Sequence, residues 1–294
     1  MMPVRNAAAT VAAAVGSIRW QTFEDWELLL MDDGSTDATV GTVSDLADPR
    51  IRILSDGSWR GLGARLNQAI AVARGRYLAR MDADDIAFPE RLARQLAFME
   101  AHRDVDLAGA RAIVFRGDGE AIGLLPFRER HGEICARPWN NFPLPHPTWF
   151  GRAEWFRRYK YRVPEVLRAE DQDLLLRAYR TSRYACLPEV LLGYRQGSYS
   201  LAKTLLARRQ LTLAQIRVLG RDGYLAQALL AGLAGTAKVA VDVLAAIPGF
   251  DGLFFSRMSG AIPLDLEARW SDTWARINTT LGKPAGNQDV DEAR

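Results

Sequence analysis

Cysteine, lysine and histidine are scarce in this chain of 294 residues. The two cysteines, Cys135 and Cys186, form no CxxC pair, so no disulfide framework holds the fold and a reducing compartment is implied. Three scattered histidines (His102, His131, His146) and no HExxH leave a zinc site short of ligands. The one Gly-Lys step, Gly282-Lys283, runs into Pro284, which excludes a P-loop. No GxSxG elbow occurs, and Gly61-Leu62-Gly63 lacks the third glycine of a dinucleotide fingerprint. Only four of the 38 cationic side chains are lysine, and 35 acidic residues reduce the net charge to +3. The isoelectric point of 9.0 is a small surplus rather than a basic run, so no nucleic-acid partner is expected. Membrane-length apolar runs are missing too. Residues 7–15 are alanine-rich with no leucine, a poor signal segment that reads as a buried helix. Residues 223–237 carry no charge, but a span needs about 20 residues. Lys238 and Asp242 follow at i and i+4, so this stretch reads as a tail helix, buried or lying on a membrane surface.

What is present is alternation. Residues 7–20 read as a helix, 27–31 as a short apolar strand, 39–46 as a helix and 50–54 as a strand. Leu62, Leu66, Ile70 and Ala73 recur at helical spacing, Gly75 stops that helix, and 77–81 is the next strand. Pro89 suits a first helical residue, with Leu92, Leu96 and Met99 on one face, and 106–115 is a further strand. Such alternation predicts an α/β fold whose mostly parallel central sheet carries helices on both faces. Residues 117–196 are less regular and include a loop stiffened by Pro143, Pro145 and Pro147. Beyond Ser198 the chain reads helical, and Leu266, Trp270, Trp274 and Ile277 share a face of a late helix.

Ligands of such sheets gather at the carboxyl ends of strands, and two aspartate clusters stand there: Asp32-Asp33-Gly34-Ser35-Thr36-Asp37 and Asp82-Ala83-Asp84-Asp85. In extended chain Asp82 and Asp84 point the same way, and two converging carboxylates can hold Mg²⁺ or Mn²⁺ beside a diphosphate. An EF-hand is excluded, because Ala87 and Ala93 fall where its glycine and bidentate glutamate belong. The bland reading, a capped turn, suits Asp37. It suits residues 82–85 poorly, since three carboxylates in four residues repel without a cation. Glu170-Asp171 opens an apolar helix, where the dipole stabilises a carboxylate; taken alone, that is a solvated cap.

Together these elements resemble glycosyltransferase family 2. The resemblance rests on residues 17–28, on Asp32 to Asp37, and on Ala79-Arg80-Met81-Asp82-Ala83-Asp84-Asp85 with Pro89-Glu90-Arg91-Leu92. It also rests on Glu170-Asp171 and on Leu191-Leu192-Gly193-Tyr194-Arg195, and all five stand in family order over about residues 2–200. It implies a GT-A fold and an inverting, metal-assisted transfer of sugar from a nucleotide sugar, expected to be a UDP-sugar, to a glycan or lipid-linked acceptor. By resemblance Asp33 contacts the nucleotide base, and Pro3, Val4, Asn6, Asn67, Asp82 and Ala83 join the donor contacts. The metal, Mn²⁺ or Mg²⁺, falls to Asp82, Asp84 and Asp85, with the direct ligand among them open. Asp171 is the general base, and His146, Glu170, Tyr194 and Arg195 are candidate acceptor residues. The implied setting is cytoplasmic, with room for peripheral contact at the inner membrane surface.

The implied organisation is a GT-A domain over residues 1–200, with a nucleotide-sugar half (1–115) and an acceptor half (116–200). A helical region follows (201–281), then a frayed polar tail (282–294). One departure stands out. The family's opening strand is nearly absent before Arg5, which predicts two exposed strand edges and either a start assigned several residues late or a degenerate member. That feature favours an alternative, a non-catalytic relative that keeps the fold as a nucleotide-binding scaffold. A nucleotidyltransferase is a weaker alternative, since residues 7–14 offer no glycine-rich basic loop. Arg65 reads equally as a donor contact or a helix-surface residue. Trp139 and Trp149 are read as packing, and both cysteines as unreactive.

Overall fold

The computed structural model describes residues 1–197, 200–247, 250 and 260–280. The first half alternates as expected: β1 (Met2–Val4), α1 (Val11–Arg19), β2 (Leu28–Asp32), α2 (Thr39–Ser44), β3 (Ile51–Ser55), α3 (Leu62–Val72) and β4 (Tyr77–Ala79). β1, β2 and β3 form a parallel sheet in the order β1-β2-β3. The continuous apolar run of β2 is buried along its whole length, as a strand covered on both faces requires. Leu66, Ala69 and Ile70 of α3 seal one face of that sheet, and Val11, Val15 and Ile18 of α1 seal the other.

Then follow β5 (Ile86–Ala87), α4 (Arg91–Ala101), β6 (Leu107–Phe115), β7 (Ala121–Leu124), α5 (His131–Ile134), β8 (Phe150–Arg152), α6 (Ala153–Arg158), α7 (Glu170–Ala178) and β9 (Tyr184–Arg195). This second sheet runs β4-β8-β6-β9-β5, with β7 beside β6. Long β6 and β9 pair in parallel, and the short strands join them antiparallel. α4 begins two residues after Pro89, whose carbonyl instead accepts the Thr22 amide at 2.9 Å.

The opening strand is present, which corrects the expectation that it is nearly absent. β1 is three residues long and wholly buried. It joins the two sheets: the Met1 nitrogen donates to the Ala79 carbonyl (2.7 Å), and the Met81 amide donates to the Met1 carbonyl (3.2 Å). Two fully exposed edges therefore do not arise. Beyond Met1, at the strands' amino ends, a cavity of about 480 Å³ separates Leu28 and Leu29 from Leu78 and Ala79.

Three helices close the described chain: α8 (Leu201–Arg221), α9 (Leu225–Ala245) and α10 (Leu264–Thr280). α8 and α9 form a hairpin. The described residues of the expected helical region are helical, and α10 packs apart from the hairpin. Its Leu266, Trp270 and Ile277 are buried with Phe88, Ile113, Phe115 and Val190 of the catalytic body. Trp270 packs against Phe115 in a tilted ring pair (centroids 4.7 Å apart) and donates to the Gly119 carbonyl (2.8 Å). Gly193 makes this fit possible, because a Cβ there would stand 2.2 Å from the Trp270 ring. The expected tail from residue 282 lies outside the described residues.

Candidate active site

The strand ends carry the chemistry. At the end of β1 the Val4 carbonyl accepts the Asp33 amide (2.8 Å). After Pro3 and Val4, the chain turns at Asn6 in left-handed backbone (φ 49°), which asparagine tolerates. The Asn6 carboxamide accepts the Thr36 amide (2.8 Å), and its own amide donates to Ser35 Oγ (3.0 Å). Asp37 accepts the Thr39 and Ala8 amides, so its turn-capping reading holds. Asp33 accepts from the Arg60 amide (2.7 Å), the Gly61 amide (3.0 Å) and Arg65 Nε (3.0 Å). It thus ties the loop after β3 to the end of β2. Arg65 is neither free for a donor nor on a helix surface. It is 2% exposed and also holds Asp56 and the Ser58 carbonyl.

Asp82, Asp84 and Asp85 follow β4, with carboxylate oxygens within 4.8 Å of one another. Arg80, two residues earlier and on the same side of the extended chain, grips Asp82 through both terminal guanidinium nitrogens. Ala83 is buried, and its carbonyl accepts the Thr10 hydroxyl (3.0 Å), which docks the start of α1 on this loop. Asp85 is fully buried. One of its oxygens accepts the Arg195 amide (2.9 Å), while the other has no hydrogen-bond partner. Burial, then repulsion from Asp82 and Asp84, pushes the Asp85 carboxyl well above its usual range. Burial and Asp82 raise Asp84 as well. A buried carboxylate oxygen with no partner, in a set of three hard oxygen donors, fits a divalent cation of the Mg²⁺ or Mn²⁺ kind.

A second cluster also feels the Arg80 charge. His146, in a short 3-10 turn (His146–Thr148), meets Glu170 and Asp171 from the first turn of α7, with ligand atoms again within 4.8 Å. Ala169 precedes them in left-handed backbone (φ 58°), strain stored next to the pair. His146 Nε2 bonds the Tyr161 hydroxyl (2.8 Å), and its Nδ1 lies 3.9 Å from Glu170. Burial, with the Arg80 charge second, drives the His146 pKa well down, so the ring is neutral. Burial and then the Asp171 charge push Glu170 up to about 7, and burial raises Asp171. Gln172 braces this turn, exchanging bonds with both backbone groups of Phe142 and donating to Asp171 (3.3 Å). The Arg80 charge is felt at Glu170, Asp171, His146 and Tyr161, so one buried guanidinium serves both clusters.

Three sequence-selected residues have partners that differ from those expected. The Asn67 carboxamide bonds the Tyr161 carbonyl (2.9 Å) and amide (3.0 Å), which steadies the tyrosine under His146. Tyr194 and Arg195 sit against the Asp82–Asp85 cluster rather than beside His146 and Glu170. The Arg195 amide holds Asp85 and its Nε holds the Asp84 carbonyl (2.8 Å). Burial, then the three aspartates, raises the Tyr194 phenol. Sequence reasoning assigned no role to Arg80, Tyr161 or Gln172. Only Arg80 left a signal, its i, i+2 spacing from Asp82. Trp149 is core, and Trp139 packs half-buried against it. Burial pushes both thiols up to about 12, so neither supplies a thiolate near neutral pH.

Comparisons with known proteins point to one family. Residues 1–160 match the family model of glycosyl transferase family 2. EpsE of Bacillus subtilis is 36% identical over 205 residues, 67% of this chain and 72% of that protein. The Escherichia coli UDP-Glc:alpha-D-GlcNAc-diphosphoundecaprenol beta-1,3-glucosyltransferase WfgD is 37% identical over 99 residues, 34% of this chain and 39% of that protein. In fold, the chain matches S. aureus TarS in complex with UDP-GlcNAc, with a TM-score of 0.60 and 17% identity over 99% of this chain and 93% of that one. An α/β body with two acidic clusters at its strand ends defines an enzyme of the GT-A glycosyltransferase class. The chain belongs to glycosyltransferase family 2.

Proposed function

We propose that the enzyme moves a sugar, with inversion, from a nucleoside diphosphate donor to a hydroxyl of a glycan or lipid-linked acceptor on the cytoplasmic side. The observation that carries this reading is the pair of acidic clusters, Asp82-Asp84-Asp85 and His146-Glu170-Asp171, both within the electrostatic reach of Arg80. One set of carboxylates is suited to a cation beside a diphosphate, and the other to taking a proton. A UDP-sugar is the first donor to test, since TarS is described with UDP-GlcNAc and WfgD is named for UDP-Glc. The lipid-linked acceptor takes its support from the diphosphoundecaprenol in the WfgD name.

Asp171 removes the proton from the acceptor hydroxyl as that oxygen bonds the anomeric carbon. The bond from that carbon to the diphosphate oxygen breaks on the opposite face, and the electron pair leaves with the nucleoside diphosphate. A raised carboxylate pKa makes Asp171 the stronger base, and a positioned base is worth about 10²–10⁴-fold in rate. Glu170 and neutral His146 flank the acceptor hydroxyl, with Tyr161 fixing the imidazole. A divalent cation held by Asp82, Asp84 and Asp85 would neutralise charge on the departing diphosphate. Asp33 shapes the donor pocket by fixing the Arg60–Gly61 backbone, which is its part in base recognition.

The test is release of nucleoside diphosphate from a panel of nucleotide sugars with Mn²⁺ or Mg²⁺. Asp171→Asn should abolish turnover and keep donor binding. Activity that survives it removes Asp171 as the base. Activity that survives both EDTA and Asp84→Ala removes the metal. The scaffold alternative has lost the missing strand that favoured it, because β1 is in place.

A further inference from the structure

α9 is built the wrong way round for a core helix. Its two charges face inward: Lys238 donates to the Asn140 carbonyl (2.9 Å), and Asp242, 1% exposed, pairs with Arg208 (2.7 Å). Its large apolar side chains face out. Leu225, Leu229 and Leu233 are 68–71% exposed, and Val243, Leu244 and Ile247 continue the stripe at 45–47%. Helical rise over 21 residues makes this an uncharged apolar face about 30 Å long, far more than isolated surface leucines. α8 widens it with exposed Leu213 and Ile216, the latter lying over Gly232 of α9.

Charge indicates what covers the face. Arg209, Leu213, Ile216 and Arg217 stand at i, i+4, i+7 and i+8, so two exposed guanidiniums border the apolar stripe. α8 contains no acidic residue. Across the whole hairpin the carboxylates are Asp222 and Asp242, and both are paired with arginines. A second copy would set arginine against arginine with no carboxylate between them. An anionic lipid surface supplies both what the leucines and what the arginines lack. A transmembrane course for α9 would drag the exposed Lys203, Arg209, Arg217 and Arg221 of its antiparallel partner through hydrocarbon.

The hairpin is also fastened to the acceptor side of the site. Gln215 and Lys238 hold the Pro138 and Asn140 carbonyls in the loop that leads to His146. Gln210 accepts the Leu167 and Arg168 amides just before Glu170-Asp171. We propose that the α8–α9 face docks flat on an anionic membrane surface. It thereby holds the acceptor half of the site at the depth where a lipid-linked hydroxyl emerges. The docking itself is independent of catalysis; its purpose rests on the lipid-linked reading above.

Vesicle flotation without donor or metal tests it, so failure here leaves the transferase reading standing. The protein should float with phosphatidylglycerol/phosphatidylcholine vesicles at low salt and at least tenfold less with phosphatidylcholine alone. Leu229→Glu/Leu233→Glu should lose at least tenfold of that binding with an unchanged melting temperature, as both side chains are solvent-exposed. Arg209→Glu/Arg217→Glu should remove the preference for the anionic lipid. Three results overturn the proposal. One is no vesicle binding by the wild type, and another is binding unchanged in the leucine variant. The third is a lipid-free dimer that the leucine variant dissociates.

Discussion

The two acidic clusters of this glycosyltransferase both feel the charge of one arginine, Arg80, and meet their charge in different ways. Asp82, Asp84 and Asp85 crowd together with two guanidiniums in reach, Arg80 on a side chain and Arg195 on backbone, and one oxygen of Asp85 still lacks a partner. His146, Glu170 and Asp171 have no cation in direct contact. There, burial keeps the ring neutral and raises both acids, and the Asp171 charge raises Glu170 further. In the proposed reading the first arrangement suits a metal ion and the second a proton. Carboxylate chemistry is thus set less by sequence than by what surrounds it.

The largest expected effects separate the clusters cleanly. Asp171→Asn should cut turnover about 10²–10⁴-fold while metal-dependent donor binding persists. Asp84→Ala should do the reverse and abolish metal-dependent donor binding, which calorimetry with Mn²⁺ and the donor reads directly. Trp270→Ala should cost ~3–5 kcal/mol in urea unfolding and weaken the donor side, because Trp270 packs on the strand that delivers Arg195. Arg80→Met should cost about 3 kcal/mol by leaving Asp82 without its ion pair, and added Mg²⁺ or Mn²⁺ should restore part of that stability.

The smallest effect is a shift in pH dependence. A base must be deprotonated to work, and a raised pKa keeps it protonated to higher pH. Activity should therefore fall as pH drops, beginning above the ordinary aspartate range, because burial raises the Asp171 carboxyl. Glu170→Gln removes the neighbouring negative charge, so Asp171 ionises more easily and the acidic limb should move to lower pH. The charged and titratable groups facing the pair are Arg80, Asp82, His146 and Tyr161. A limb that stays fixed in Glu170→Gln would place the controlling proton on the metal side instead.

Much of this was legible from local pattern. The continuous apolar run of β2, the helical spacing of Leu62, Leu66 and Ile70, and the face of Leu266, Trp270 and Ile277 all recur where periodicity put them. The aspartates at strand ends were visible because topology and chemistry coincide there. Distance in the chain hid the rest. Nothing near Asn67 announces that its carboxamide is spent on Tyr161, 94 residues away. Nothing near Arg195 places it against Asp85, 110 residues earlier. The opening strand seemed too short to count, yet three buried residues suffice when both neighbours supply backbone partners.

Sequence alone settled the class of the enzyme, because strand–helix alternation and acidic motifs depend on neighbours a few residues apart. Tertiary structure decided which carboxylates crowd together and which are raised by burial. It also decided that α10 belongs to the catalytic body and that the leucines of α9 face outward. Burial and long-range charge fix those properties, and both arise only when distant segments pack together.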